Sequence, residues 1–376
     1  LAEKGAVFTQ TFGWERPQWF SLDGREEACS YRRNNVFDVV RAECEAVRDR
    51  VGVIDMTGFA KYDVRGAGAE AFLNRLLANR MPKRDGGMAL AHFLSRQGRI
   101  LGEATVTRIA NDHFYLLSAA SAELRDLDHL LQQREEGEAV EITNATEQRG
   151  VMVVAGPRSR ELLATLTDAP LDNASFPWRS AQEIDVAGVK TLALRINYVG
   201  ELGWELHPRM ADLETLYAGV WAAGEAHGIA NFGLYALNSL RMEKAYRGWG
   251  AELTNEVTML EADMARFFNG KKDDFIGKLA TETRDTGPLQ LVYFSVDAVD
   301  ADVRGGEPIF VGDDCVGVTT SGGYGHAVEQ SLGFGYVPPA QAVPGSVLEV
   351  GLLDARCQAT VLTDPAYDPA NQRLMS

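Results

Sequence analysis

The 376-residue sequence predicts an α+β fold: two related strand–glycine–helix units followed by a small all-β barrel or sandwich. Three observations carry this. A strand, a glycine, a short polar turn and a helix are read in "AKYDVRGAGAEAFLNRLLANRM" (60–81), and again about 90 residues on in "VMVVAGPRSRELLATL" (151–166). Between the copies, "MALAHFLSRQGRILGEATVTRIANDHFYLLS" (88–118) breaks at "SRQGR" and "ANDH", which predicts a meander of three antiparallel strands. Beyond about residue 285 the texture changes to short apolar runs spaced by Gly/Pro turns, such as "GEPIFVGDDCVGVTTSGGY" and "SLGFGYVP".

The elements follow in order. Residues 1–30 are aromatic-rich, with Phe12, Trp14, Trp19 and Phe20 around Pro17, but have no period, and they predict an extended arm on a neighbouring surface. In "DVVRAECEAVRDRVGVIDM" (38–56), Val39, Val40, Cys44 and Val47 recur at three and four, which predicts a helix closing at Gly52. "VKTLALRINYVGELGWELH" (189–207) predicts two strands joined across Gly200–Gly203. Segments 214–228 and 231–250 read as mainly helical. The division is an arm over 1–30, two α+β subdomains over 31–285 and a β domain over 286–376.

Composition excludes several classes. Apolar residues make up 45% and charged residues 24%, which is ordinary for a globular chain. A net charge of −16 disfavours nucleic acid or an anionic membrane as main partner. No apolar run is long enough for a transmembrane helix, and no signal-peptide pattern follows Leu1. Cys29, Cys44, Cys315 and Cys357 form no CxxC and read as reduced thiols of a bacterial cytoplasm or mitochondrial matrix. The chain opens on Leu1 rather than Met, so a piece of a longer precursor is expected.

Motif chemistry is sparse. "GAGAEA" (66–71) nearly fits a dinucleotide fingerprint, but "KYDV" before it is no buried apolar strand and no βαβ pattern follows, so it reads as a helix start. The six histidines do not cluster at ligand spacing, and no metal is expected. What remains is carboxylates among glycines and aromatics. In "GWELH", alternation places Glu205 and His207 on one face and Trp204 and Leu206 on the other. Glu103 shares its face with Leu101 and Thr105, opposite Gly102, Ala104 and Val106. Glutamates in such strands more often face solvent than a site, and Arg241 in "NSLRMEK" fits a surface helix equally well.

"YVGELGWELH" resembles the strand pair of the glycine-cleavage T-protein (aminomethyltransferase) family. "ALNSLRMEKAYRGWGAELTNEVTMLEADM", "VAGPRSRELL", "DFIGK" and "TTSGGYGHAVEQSLGFGYVP" resemble further family segments in the same order, covering roughly 30–370. "GWERPQWF" and Glu103 look like the C-terminal, folate-binding region of dimethylglycine and sarcosine dehydrogenases. The resemblance implies a three-lobed arrangement around a central folate cavity, with a C-terminal barrel. It implies tetrahydrofolate as cofactor, with FAD expected only on a missing N-terminal or partner domain, and an N-methyl amine as the carbon source. It further implies Tyr198 and Glu205 on the pterin, Arg241 near the folate's anionic tail and Glu103 as the catalytic carboxylate. The activity implied is capture of an iminium or formaldehyde carbon as 5,10-methylenetetrahydrofolate. A folate-dependent demethylase or methyltransferase, or a non-catalytic folate-binding module, are the alternatives. The last is disfavoured because "YRGWGAEL" stands where such relatives carry K-G-C-x-x-G-Q-E. The T-protein has aspartate where this chain has Glu103. The extra methylene moves the carboxylate by roughly 1.5 Å, and Gly102 is expected to leave it space.

Overall fold

The computed structural model describes residues 1–284 and 287–376, so the expected 285/286 boundary lies outside the described residues. The first element is a hairpin, β1 (Ala6–Thr11) and β2 (Trp14–Phe20), where an extended arm was expected. Thr11 pairs with Trp14, and Phe12 and Gly13 between them both take positive φ (54° and 82°), a two-residue turn that matches strand twist. Trp19 is completely buried, so this hairpin is core and not an appendage.

Next come α1 (Phe37–Asp49), β3 (Val51–Asp55), β4 (Ala60–Arg65), α2 (Ala69–Leu76), β5 (Met88–Leu94), β6 (Ile100–Ala110), β7 (His113–Ser118), α3 (Glu123–Gln132), β8 (Glu141–Asn144), β9 (Met152–Ala155) and α4 (Ser159–Ala164). Then follow β10 (Ala181–Val186), β11 (Val189–Leu194), β12 (Gly203–Pro208), α5 (Leu213–Gly224), β13 (Ile229–Asn231), α6 (Leu234–Glu243) and α7 (Lys278–Glu282). The chain closes with β14 (Gln290–Val296), β15 (Pro308–Val311), β16 (Asp314–Gly325), β17 (Gln330–Val337), β18 (Val347–Leu352) and β19 (Ala355–Val361).

The helix expected to close at Gly52 stops at Asp49. "VGVID" beyond it is a strand, because its β-branched residues are buried on both faces of a sheet, which a helix face cannot offer. Likewise α6 covers only Leu234–Glu243 of the helical stretch expected over 231–250, and residues 195–202 form a loop between β11 and β12.

The three-strand meander is present as β5–β6–β7, inside a sheet of order β5-β6-β7-β4-β8. The other large sheet has order β10-β11-β12-β9-β3-β13 and is antiparallel except at β13–β3. The strand–glycine–helix repeats are β4–α2 in the first sheet and β9–α4 in the second. Gly66 and Gly156 hold corresponding places, with φ of 116° and 133°. A Cβ would meet the Ala139 carbonyl oxygen at 2.1 Å in one and the Arg50 carbonyl oxygen at 2.5 Å in the other, so only glycine fits either turn.

Each sheet has a helix-covered outer face. Phe72, Leu73 and Leu76 of α2 pack on Val64, Val106 and Phe114, while Leu162, Leu163, Leu216 and Val220 of α4 and α5 pack on Trp204 and Leu206. The inner faces meet through Tyr115, Leu117, Leu192 and Leu194. The third lobe is a closed barrel, β14-β17-β16-β15-β18-β19, cored by Phe294, Ile309, Val337 and Val350. It docks on α6: Tyr293 donates to the Met242 carbonyl (2.8 Å) and Ser239 to the Tyr324 carbonyl (2.6 Å).

Three buried carboxylates fasten the lobes. Glu43 of α1 accepts from the Phe20 and Gly233 amides, both at 2.8 Å, joining the hairpin to the start of α6. Arg48 of α1 donates to Glu243 (2.5 Å) and Glu201 (3.1 Å), and Glu201 also accepts from Tyr367 (2.7 Å) and Arg373 (3.0 Å). Glu201 is therefore a buried tie to the C-terminal segment, beyond the turn-forming role its sequence setting indicates.

Candidate functional site

Glu205 lies mid-strand in β12, opposite Leu194 of β11 and Val153 of β9. Alternation holds: Trp204 and Leu206 enter the helix-covered core, and Glu205 and His207 turn to the inner face between the sheets. The Glu205 side chain is only 9% exposed. Among the described residues no group donates a hydrogen bond to its carboxylate, and the nearest cation-forming atom is His207 Nε2 at 3.5 Å. Burial pushes its pKa up to about 8. A sequestered carboxylate without a donor costs free energy, so one that is kept has a use in view.

Tyr198 sits in the loop that feeds β12. Its hydroxyl donates to the Arg247 carbonyl (2.6 Å), and its ring stacks on Tyr246 with centroids 5.6 Å apart at 29°. Burial raises its pKa, and the charges of Arg241, Glu252 and Glu103 modify that shift. Gly248 borders the same phenol: a Cβ there would lie 3.8 Å from the Tyr198 hydroxyl. The hydroxyl is committed to backbone, so what Tyr198 offers a ligand is its ring.

Glu103 pairs in register with His92 across β5–β6, and its Oε2 lies 2.9 Å from His92 Nε2. Its side chain is 22% exposed while His92 is fully buried beside Phe267. The alternation read around it needs one correction: Leu101 is the extra residue of a bulge and packs with the outer core rather than on the Glu103 face. Gly102 does not make room for Glu103 either. A Cβ at 102 would point outward, 3.1 Å from Asp126 Oδ1 and 3.2 Å from Phe93.

Arg241 is not a surface charge. It is 7% exposed and gives Nε to Asn238 (3.0 Å), Nη1 to the Tyr246 carbonyl (3.1 Å) and Glu252 (3.2 Å), and Nη2 to Ser321 (2.8 Å). Glu252 in turn accepts from the Gly248 amide (2.8 Å), Thr320 (2.7 Å) and Ser321 (2.5 Å). Four of the five guanidinium N–H groups are thus used to bind α6, the 244–252 loop and the barrel together, leaving one free.

The structure brings Tyr198 and Arg241 together at the Tyr246 carbonyl, sets Glu205 on the strand that Tyr198 leads into, and holds Glu103 beside His92 on the other sheet. Sequence reasoning missed His92, His207, Tyr115, Tyr246 and Glu252. His207 was visible as Glu205's face-mate, but its partner Tyr115 is 92 residues away on the other sheet. Among the described residues no three His, Cys, Asp or Glu side chains are grouped to hold a metal ion, and no helix is long and apolar enough to cross a membrane.

The GCVT N-terminal domain matches residues 1–272, and the glycine cleavage T-protein C-terminal barrel domain matches residues 290–368. The chain belongs to the glycine cleavage T-protein family. Within this T-protein family, mouse mitochondrial dimethylglycine dehydrogenase is 39% identical over 370 residues, covering 96% of this chain and 42% of the relative. Human mitochondrial sarcosine dehydrogenase is 28% identical, covering all of this chain and 46% of the relative. The chain thus spans less than half the length of these dehydrogenases. An aminomethyltransferase of Anoxybacillus flavithermus is 29% identical and covers 97% of this chain and 96% of its own length. The T-protein fold is matched in the aminomethyltransferase T of Bartonella henselae, with a TM-score of 0.84 at 22% identity over 98% of this chain and 96% of that one. The chain is an aminomethyltransferase-like domain related to dimethylglycine and sarcosine dehydrogenases.

Proposed function

We propose that this T-protein domain transfers one-carbon units to tetrahydrofolate, capturing the iminium or formaldehyde carbon from oxidative N-demethylation of a methylated glycine-type amine. The observation that carries the reading is Glu205: a carboxylate 9% exposed, without a donor among the described residues, on the inner face of β12. The aminopyrimidinone edge of a pterin offers two adjacent N–H donors, and a carboxylate accepts both at once. Such a charged pair out of water contributes about 1.5–3 kcal/mol. The Tyr198 ring supplies an apolar wall, backed by Tyr246. Arg241 has one N–H left for an anionic tail, so its main service is holding the 244–252 loop against Tyr198.

When bound, tetrahydrofolate supplies the nitrogen nucleophiles of the reaction. In this reading Glu103 would stabilise positive charge near the bound folate and accept a proton, with His92 Nε2, 2.9 Å away, fixing its direction. Orienting the two reactants adds a proximity contribution of at most ~7–11 kcal/mol. The carbon donor is proposed to come from an FAD oxidoreductase part in cis or in trans, consistent with dehydrogenase relatives more than twice as long as the aligned region.

Calorimetric titration with tetrahydrofolate or folinic acid tests the reading. Micromolar or tighter binding is expected, and Glu205→Gln lowers affinity tenfold or more, about 1.4 kcal/mol. Equal affinity in that variant refutes the pterin assignment.

A further inference from the structure

The inner face of β12 carries a second buried polar group that the folate reading leaves unused. His207 is fully buried next to Glu205, and its Nε2 has no hydrogen-bond partner within the protein. Its Nδ1 lies 3.0 Å from the hydroxyl of Tyr115, on β7 of the opposing sheet, with the rings edge-on at 5.6 Å. Tyr115 is 1% exposed and its hydroxyl has no other partner among the described residues. A buried phenol O–H must donate somewhere, and the one acceptor at hand is Nδ1. That donation fixes the tautomer: Nδ1 carries the lone pair, and the ring proton is on Nε2. The Nε2–H group is then the orphan, 3.5 Å from Glu205 Oε2, just beyond hydrogen-bond range.

The charges around the pair favour a neutral ring. Lys61 of β4 sits nearby, its ammonium held by the Thr57 and Thr146 carbonyls at 2.7 and 2.9 Å, and the Arg149 guanidinium lies 5.4 Å from the Tyr115 ring centre. Burial, Lys61 and Arg149 hold the His207 pKa well below its ordinary value. Tyr115 also feels the charges of Asp63 and Glu205, and it borders a cavity of about 160 Å³ lined by Asp63, His113, Arg149 and Glu183, in which His113 is hydrogen-bonded to Asp63. A neutral imidazole of fixed tautomer beside a carboxylate is a one-way device: it can donate to the ionised acid but cannot form an ion pair with it.

Resting on the folate reading of Glu205, we infer that His207, held by Tyr115, is a positioning residue that presents Nε2–H to Glu205 and so favours the ionised, pterin-accepting carboxylate. The His207 donor supports the side of the carboxylate that faces the protein and leaves the remaining lone pairs for the ligand. His207 and Tyr115 do not touch the reacting atoms; they act through Glu205.

The test is the pH profile of folinic-acid affinity, measured by calorimetry from pH 6 to 9 on wild type, His207→Leu, His207→Gln, Tyr115→Phe and Glu205→Gln. His207→Leu removes the donor and is expected to lower affinity at pH 7 about tenfold and to move the pH at which affinity levels off upward by about one unit. His207→Gln keeps an N–H near the Nε2 position and restores most of both. Tyr115→Phe, nearly isosteric and safe for the fold, frees the tautomer and gives part of the shift, about threefold in affinity. The inference is overturned if Tyr115→Phe and His207→Leu leave the levelling point where wild type has it, or if Gln and Leu at 207 behave alike. If wild type binds no folate, or Glu205→Gln binds with an unchanged profile, the folate reading itself fails and takes this role with it. A Glu205-dependent profile that is indifferent to His207 sinks the positioning role alone.

Discussion

Glu205 makes a quantitative prediction about pH. Burial holds its pKa at about 8, so near neutrality the ligand-free side chain is mostly protonated. A protonated carboxyl carries an O–H where a pterin also brings N–H donors, so binding requires the ionised form and releases a proton. Affinity must then rise with pH up to about 8 and level off above it. Each unit below 8 costs about 1.4 kcal/mol, so binding at pH 6 is about 100-fold weaker than the plateau. The same shift destabilises the ligand-free fold. The folded pKa is raised above the ordinary carboxyl value of 4.5, so the folded state binds more protons than the unfolded one, and stability falls as pH climbs from 4.5 to 8. The full loss is on the order of 4–5 kcal/mol. Glu205→Gln abolishes both effects. It flattens the affinity profile at a lower level, and it makes the ligand-free protein more stable than wild type at pH 8.5. Calorimetric titration at half-unit steps from pH 6 to 9, with denaturant unfolding at pH 5 and 8.5, reads both. A flat wild-type profile, or a Gln variant less stable than wild type at pH 8.5, refutes the reasoning.

Other expectations concern the surrounding framework. Glu103→Gln keeps folate affinity within about threefold but lowers turnover when the domain is assayed with its flavin oxidoreductase part; unchanged turnover removes Glu103 from the chemistry. Glu43→Ala leaves the Phe20 and Gly233 amides without their acceptor and should cost about 2–4 kcal/mol in urea unfolding, with a loss under 1 kcal/mol counting against the hairpin clamp. Arg48→Ala strips a cation from between Glu201 and Glu243 and should cost about 3–5 kcal/mol in urea unfolding, with a loss under 1 kcal/mol counting against this buried tie. Arg241→Lys cannot reproduce the fork to Glu252, Tyr246 and Ser321; it should loosen the barrel and weaken folate binding together, and normal binding with normal stability would show that the tie is dispensable.

Much of the architecture was legible locally. The two strand–glycine–helix units, the meander and the C-terminal barrel announce themselves through period, turn residues and β-branched runs, all properties of neighbours in the chain. The face assignment of Glu205 and His207 follows from alternation alone. Other stretches failed where local signal competes with burial. The helix read as closing at Gly52 ends earlier, at Asp49, because "VGVID" is a strand that a sheet buries on both faces. The arm over 1–30 shows no repeat, yet Phe12–Gly13 turns it back on itself and Trp19 anchors it.

What the sequence by itself determined is that Glu205 and His207 share a face, and which family the chain resembles. Only the tertiary structure decided what that face meets. It set Tyr115 from one sheet against His207 of the other, spent Arg241 on the barrel and enclosed Glu205 without a donor. The reason is physical: backbone periodicity fixes direction over a few residues. Burial and hydrogen-bond partnership depend on how whole sheets pack, and that is set by contacts between segments about a hundred residues apart.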